Sequence, residues 1–197
     1  MLNKEVDTDV LIVGAGPVGL FLANECARRG LRYRIVEAHP TQSTHSKALA
    51  IFPRTLEIFD MAGVVAPFLE AANRVTSVAV ATRVRSLAHM RFAPEESPYS
   101  FIAMVPQDVT EGLFAERLRR RGGEVEYETS FVSSVPYDDY VSVTLDKKGR
   151  RVELNAAFVV GCDGARRRES KRAHFTGATS SASITGRPRR CASGASS

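Results

Sequence analysis

Three glycines, spaced Gly14-x-Gly16-x-x-Gly19, stand where the apolar run Val10 to Val13 gives way to residues with helical spacing. Each has a steric task if the segment cradles a diphosphate. Gly14 makes the turn, Gly16 lets the backbone approach the anion, and Gly19 lets helix and strand pack closely. A helix starting there offers free N–H groups and the positive end of its dipole to the same anion. Glu37 lies 18 residues past Gly19, at the end of a second strand-like run, Tyr33 to Val36. Its carboxylate can accept hydrogen bonds from a ribose diol and would repel a 2′-phosphate. The chemistry is that of holding a dinucleotide, and these residues leave nicotinamide and flavin dinucleotides both open. A further pair, Asp163-Gly164, follows the apolar run Ala157 to Val160.

The elements that must position these residues read as an alternation of strands and helices. Continuous apolar residues at 10–13 predict a buried parallel strand. Leu20, Ala23, Cys26 and Ala27 predict the helix behind the glycines, with Gly30 as its C-terminal stop. A helix is expected from Pro53 to Gly63, with Leu56, Ile58 and Phe59 on its apolar side. Residues 75–104 read as strands and loops. A helix from Asp108 to Arg121 is expected to use Asp108 as N-cap with Glu111 in a near capping box, and Gly122-Gly123 stop it. Short strands follow at 125–127, 131–135, 141–145, 152–154 and 157–160.

Composition sets outer limits. The chain has 197 residues, 44% apolar and 25% charged, which is ordinary globular usage and excludes a collagen, a coiled coil and a wholly disordered chain. The longest uncharged stretch, Val10 to Asn24, is broken by glycine and proline and is short of the ~20 apolar residues of a membrane span. Lys4 is followed by Glu5, Asp7 and Asp9, unlike the basic start of a signal peptide. Cys26, Cys162 and Cys191 form no CxxC pair, which argues against a disulfide framework or a metal site and suits a cytoplasmic location. His39, His45, His89 and His174 have no metal or triad spacing. The net charge of +5 is uneven: residues 1–164 carry 19 basic and 21 acidic groups, and residues 165–197 carry 8 and 1. The high charge therefore belongs to a short tail, and nucleic-acid binding is not expected.

Three separated features together resemble one family. They are Asp9-Val-Leu-Ile-Val-Gly-Ala-Gly-Pro-Val-Gly-Leu with Val36-Glu37; Lys47-Ala-Leu through Arg54-Thr-Leu-Glu-Ile-Phe, followed by Gln107; and Val159-Val-Gly-Cys-Asp163-Gly164-Ala-Arg166. Met1 to about Thr179 resembles the FAD-binding half of the flavin-dependent aromatic hydroxylases, single-component monooxygenases related to phenol and p-hydroxybenzoate hydroxylases. The resemblance implies an α/β, Rossmann-like, three-layer FAD-binding fold with part of an antiparallel substrate-domain sheet. It implies an FAD-binding domain over residues 1–176, with the inserted sheet beginning at about 75–105. The implied FAD contacts are Gly14, Gly16, Pro17, Val18 and Gly19 in the loop, Glu37 and Ala38 after the second strand, and Lys47, Arg54, Gln107, Asp163 and Gly164. Lys47 stands where the family usually has arginine and gives a point charge without a bidentate fork. Arg54 has a competing partner in Glu57, one helical turn away. The implied reaction uses NAD(P)H to reduce FAD, and O2 to hydroxylate a small aromatic substrate through a flavin C4a-hydroperoxide. No catalytic residue is singled out, since the cofactor carries the chemistry. Oligomeric state is left open.

The chain departs from that pattern after Arg166. Arg167-Arg-Glu-Ser-Lys-Arg172 replaces the usual serine and valine-arginine pair, and the family's later glycine-aspartate motif is not found. Residues 177–197 draw 15 of 21 positions from Gly, Ala, Ser and Thr, which predicts a disordered tail. A truncated or frame-shifted, inactive member is therefore expected. The other readings are a non-catalytic nucleotide-binding or interaction fragment, and a different FAD- or NAD-dependent oxidoreductase.

Overall fold

The computed structural model describes residues 6–42, 50–82, 86–91, 97–163 and 183–186. In chain order its elements are β1 (Thr8–Val13), α1 (Pro17–Arg28), β2 (Tyr33–Val36), β3 (Ala50–Ile51), α2 (Pro53–Met61), α3 (Val65–Ala71), β4 (Asn73–Val75), β5 (Ser77–Ala81) and β6 (Ser86–Arg91). There follow β7 (Ile102–Met104), α4 (Gln107–Arg120), β8 (Val125–Glu126), β9 (Thr129–Pro136), β10 (Val141–Lys147), β11 (Arg150–Gly161) and β12 (Ser183–Gly186). The chain forms two compact units, one of Met1–Gln42 with Arg117–Ser197, the other of Ser43–Glu116.

The first unit is a seven-stranded sheet in the order β8-β2-β1-β11-β10-β9, with β12 added to β11. β1 lies between parallel neighbours, β2 and β11. Its Leu11 and Ile12 are fully buried, as a strand covered on both faces requires. α1 follows at once and buries Leu20, Ala23 and Cys26. It ends in a Schellman motif: Leu31 N–H donates to the Cys26 carbonyl, Gly30 N–H to that of Ala27, and Gly30 takes φ +69°. β9, β10 and the first half of β11 form an antiparallel meander. Leu11, Val36, Val143, Leu145 and Val159 share one core across both parts.

β11 is one strand of 12 residues, not the two short strands the sequence implies. Asn155, a residue that usually interrupts strands, is the reason. Its N–H donates to the Asp7 carboxylate at 2.7 Å, and its carbonyl accepts the Asp7 N–H at 2.9 Å. The strand can therefore change partner at Ala156, from β10 to β1, without breaking.

In the second unit, α2, α3 and α4 meet through Phe59, Phe68 and Phe114, with ring centroids 4.8 to 5.2 Å apart. β3, β7 and β4 form a small antiparallel sheet, and β5 with β6 a hairpin. One expectation needs correction, and two elements lie where none was assigned. α3 falls where no helix was expected, because its Pro67 sits in the first turn, where proline is tolerated. α4 begins at Gln107, so Asp108 lies inside its first turn instead of capping it. Pro106 supplies the carbonyl that accepts the Thr110 N–H. Within the tail expected to be without structure, Ser183–Gly186 form β12, and the rest of 177–197 lies outside the described residues.

Candidate dinucleotide-binding site

The end of β1 is clamped by backbone hydrogen bonds on both sides. Gly14 N–H donates to the Val36 carbonyl at 2.8 Å, and Cys162 N–H donates to the Val13 carbonyl at 2.6 Å. The three glycines then differ sharply in their surroundings. Gly14 has φ +102°, a conformation that side-chain-bearing residues rarely adopt, and a Cβ on it would lie 2.8 Å from the Cys162 carbonyl carbon. A Cβ on Gly19 would fall onto the Gly14 carbonyl oxygen and within 3.3 Å of the Cys162 Cβ. Gly16 has an ordinary φ of −72° and nothing within 4 Å of an added Cβ. Neither strain nor packing requires glycine there, so the open space above it is what distinguishes the position.

That space adjoins the start of α1. Pro17 occupies the first helical turn, no side chain caps the helix, and no acidic residue stands in that turn. The first N–H groups of a helix have no intrahelical partner, so the end of α1 presents unneutralised positive dipole toward the space beside Gly16. Val18 is exposed on the same turn.

Glu37 is drawn back to the loop. Its Oε2 accepts the Ala15 N–H at 2.9 Å and its Oε1 accepts the His39 N–H at 3.0 Å. A carboxylate accepts about four hydrogen bonds, so lone pairs remain for hydroxyl donors. Ala38 is exposed beside it. Asp163 is half-buried, and its N–H lies 2.9 Å from the position of a Gly14 Cβ, which places it at the base of the same loop. Burial, with Asp163 alongside, pushes the Cys162 thiol up to about 12. The structure thus brings together Gly14, Gly16, Pro17, Gly19, Glu37 and Asp163. Lys47 and Gly164 lie outside the described residues.

Arg54 and Gln107 belong to the second unit. Arg54 is exposed and pairs with Glu57 at 2.8 Å. Glu57 also accepts the Ser97 hydroxyl at 2.7 Å, and Ser97 Oγ accepts the Tyr99 N–H at 3.2 Å. The Ser97 hydroxyl, then Arg54, hold the Glu57 carboxyl below the usual range. The half-buried Gln107 amide donates to the Glu111 carboxylate at 2.7 Å. Ala15, Cys162 and Ser97 were not anticipated. The first two act through backbone atoms and so leave no mark in residue type. Ser97 is 40 residues from its partner. Among the described residues, no group of three His, Cys, Asp or Glu side chains could hold a metal ion, and no helix is long and apolar enough to cross a membrane.

A loop with this anatomy, on a parallel sheet and feeding an uncapped helix, defines a dinucleotide-binding fold. Residues 7–186 match the FAD binding domain family, and the chain belongs to it. The residues present fit FAD: the open backbone at Gly16 and the bare start of α1 suit its diphosphate, and the oriented Glu37 carboxylate suits a ribose. The 6-methylpretetramide 4-monooxygenase of Streptomyces rimosus is 35% identical over 80% of this chain and 28% of its own length. The p-nitrophenol 4-monooxygenase of Pseudomonas putida DLL-E4 shares the fold with a TM-score of 0.80, at 24% identity, over 88% of this chain and 45% of that one. An aklavinone-11 hydroxylase solved with FAD and aklavinone has a TM-score of 0.72 at 27% identity, over 83% of this chain and 34% of its own. The chain spans about a third of the length of the curated relatives it matches, 28% of one and 37% of another.

Proposed function

We propose that this chain forms the FAD-binding part of a monooxygenase that hydroxylates a small aromatic substrate, with NAD(P)H as reductant. The observation that carries the reading is the contrast at the loop: Gly14 and Gly19 are sealed by protein atoms, and Gly16 alone faces open space beside an uncapped helix start. The similarity to proteins named as monooxygenases supports the choice of reaction. In this reading Gly16, Pro17, Val18 and Gly19 approach the diphosphate, with Gly14 shaping the turn. Glu37 and Ala38 take the adenosine ribose. Asp163 lies along the linking chain of the cofactor, with Gly164 beside it. The resemblance adds Lys47, Arg54 and Gln107 as candidate contacts, each testable by flavin retention in its alanine variant. Bound FAD supplies the oxygen-activating chemistry, and the protein positions and shields it. The two buried free thiols, Cys26 and Cys162, suit a reducing cytoplasm.

The test is flavin absorbance of the purified 197-residue chain and of a Gly16→Val variant. Flavin bands in the parent, lost in the variant, are expected. A colourless parent that takes up no added FAD overturns the reading. A second reading is a nucleotide-binding module without turnover. Flavin retention with no substrate-stimulated oxidation of NADH or NADPH selects it.

A further inference from the structure

β10 leaves part of β11 uncovered. It pairs with β11 from Arg150 to Ala156, and β1 occupies the opposite edge from Ala156 to Gly161. The backbone groups of Phe158–Gly161 on the β10 side would thus be an open edge, continuous with a buried parallel sheet. β12 lies there, antiparallel, in the register Phe158↔Gly186, Val159↔Thr185, Val160↔Ile184 and Gly161↔Ser183. It takes up the edge at Phe158, two residues after β10 gives it up at Ala156.

The local sequence is built for a strand of that length and no longer. Ile184-Thr185 is the only adjacent β-branched pair in residues 177–197, and β-branched side chains favour extended backbone. Gly186-Arg187-Pro188 follows, then Arg189 and Arg190. Glycine and proline end pairing, and flanking positive charge deters a further strand from adding. A short strand bounded in this way is how sheets guard exposed edges. Leaving β11 open would instead present unpaired N–H and C=O groups next to a strongly strand-forming run, Phe158-Val159-Val160, a template for another copy of the same chain.

We propose that Ser183–Gly186 is an edge guard, which occupies the strand-docking edge of β11 and keeps a second copy of the chain from pairing there. The inference stands on strand pairing alone and is independent of the cofactor reading.

The experiment compares the full chain with an Ile184→Pro/Thr185→Pro double variant. Successive residues of a strand aim their N–H groups to opposite sides, so one of these two prolines removes a donor facing β11, whichever it is. An Ile184→Val/Thr185→Val variant keeps strand propensity and serves as control. Amide hydrogen exchange is read at Phe158–Gly161 and, as an internal reference for folding, at β1. Light scattering reads the association state. The proline variant is expected to lose protection at alternate amides of Phe158–Gly161, keep it in β1, and self-associate with rising concentration, while the valine variant matches the parent. Unchanged protection at Phe158–Gly161 in the proline variant overturns the proposal. So does lost protection in a chain that stays monomeric, because the edge would then need no guard.

Discussion

The glycine loop of the first unit and the start of α2 in the second present two ways of making a polar site. At the loop, shape and charge come from the main chain: the turn at Gly14, the open backbone at Gly16, the bare N–H groups of α1, and two amides that aim Glu37. At α2, the charged side chains satisfy one another: Arg54 on Glu57, and Ser97 on the other oxygen of the same carboxylate. A main-chain site costs no side-chain ordering when its ligand arrives and has no internal partner to displace. A side-chain site must break an existing pair first. The loop is therefore preorganised for a ligand, whereas Arg54 would have to leave Glu57 before it could hold one.

The sharpest way to break this contrast is to treat the glycines as equivalent. Gly19→Val drives a side chain into the Gly14 carbonyl and should lower unfolding free energy by about 3 kcal/mol or more, read by urea denaturation. Gly16→Val, at the N-cap with ordinary dihedrals, should change stability by less than about 1 kcal/mol while flavin is lost. Equal stability losses in the two variants would erase the distinction between a packing glycine and an access glycine.

Glu37→Ala comes next. It removes a carboxylate that ties Ala15 to His39 and faces the proposed ribose. A hydrogen bond to a charged group contributes ~1.5–3 kcal/mol, so FAD affinity should fall about tenfold or more in a fluorescence titration. An unchanged affinity would leave the carboxylate a purely structural role.

A side-chain pair inside the first unit shows whether the contrast belongs to the units or to the manner of construction. Arg34 holds Glu126 in a two-pronged pair, at 2.7 and 2.9 Å, and Lys147 adds a third contact at 3.0 Å. The Arg34 hydrogen bonds chiefly lower the Glu126 carboxyl from its ordinary value of 4.5. A depressed carboxyl contributes stability that is full above its unfolded-state value and lost as pH falls through the lower folded one. Glu126→Gln should therefore cost about 1 kcal/mol at neutral pH and little once the pH is well below 4.5, measured by denaturation across pH. A pH-independent difference would point to packing instead.

The smallest effect is expected at Arg54→Ala. The pair with Glu57 is exposed and screened by solvent, so unfolding stability should scarcely move in urea denaturation. Flavin retention in that variant then reports on contact with the cofactor, undisturbed by unfolding.

The same division explains what could be read from residue order. Gly14 and Gly19 were legible because main-chain geometry and close packing restrict which residues are allowed there, and that restriction appears as spacing. The strand–turn–helix around them followed with nearly correct ends. What escaped depended on distant partners. Asn155 looks like an interruption until Asp7 arrives from the other end of the chain. α4 starts at a proline carbonyl and bypasses the aspartate that resembled a cap. β12 lies in a stretch whose composition signals disorder, and only the uncovered half of β11 gives it a reason to form.

Cys162 sits at the base of the loop with its thiol neutral across the physiological range. Alkylating reagents attack the thiolate and must reach it, and Cys162 is only 6% exposed, so labelling is expected to be slow in the folded chain. Its rate of labelling thus counts the moments when the floor beneath the glycines lifts, and the residue works as a clock for breathing at the place where a nucleotide would be held.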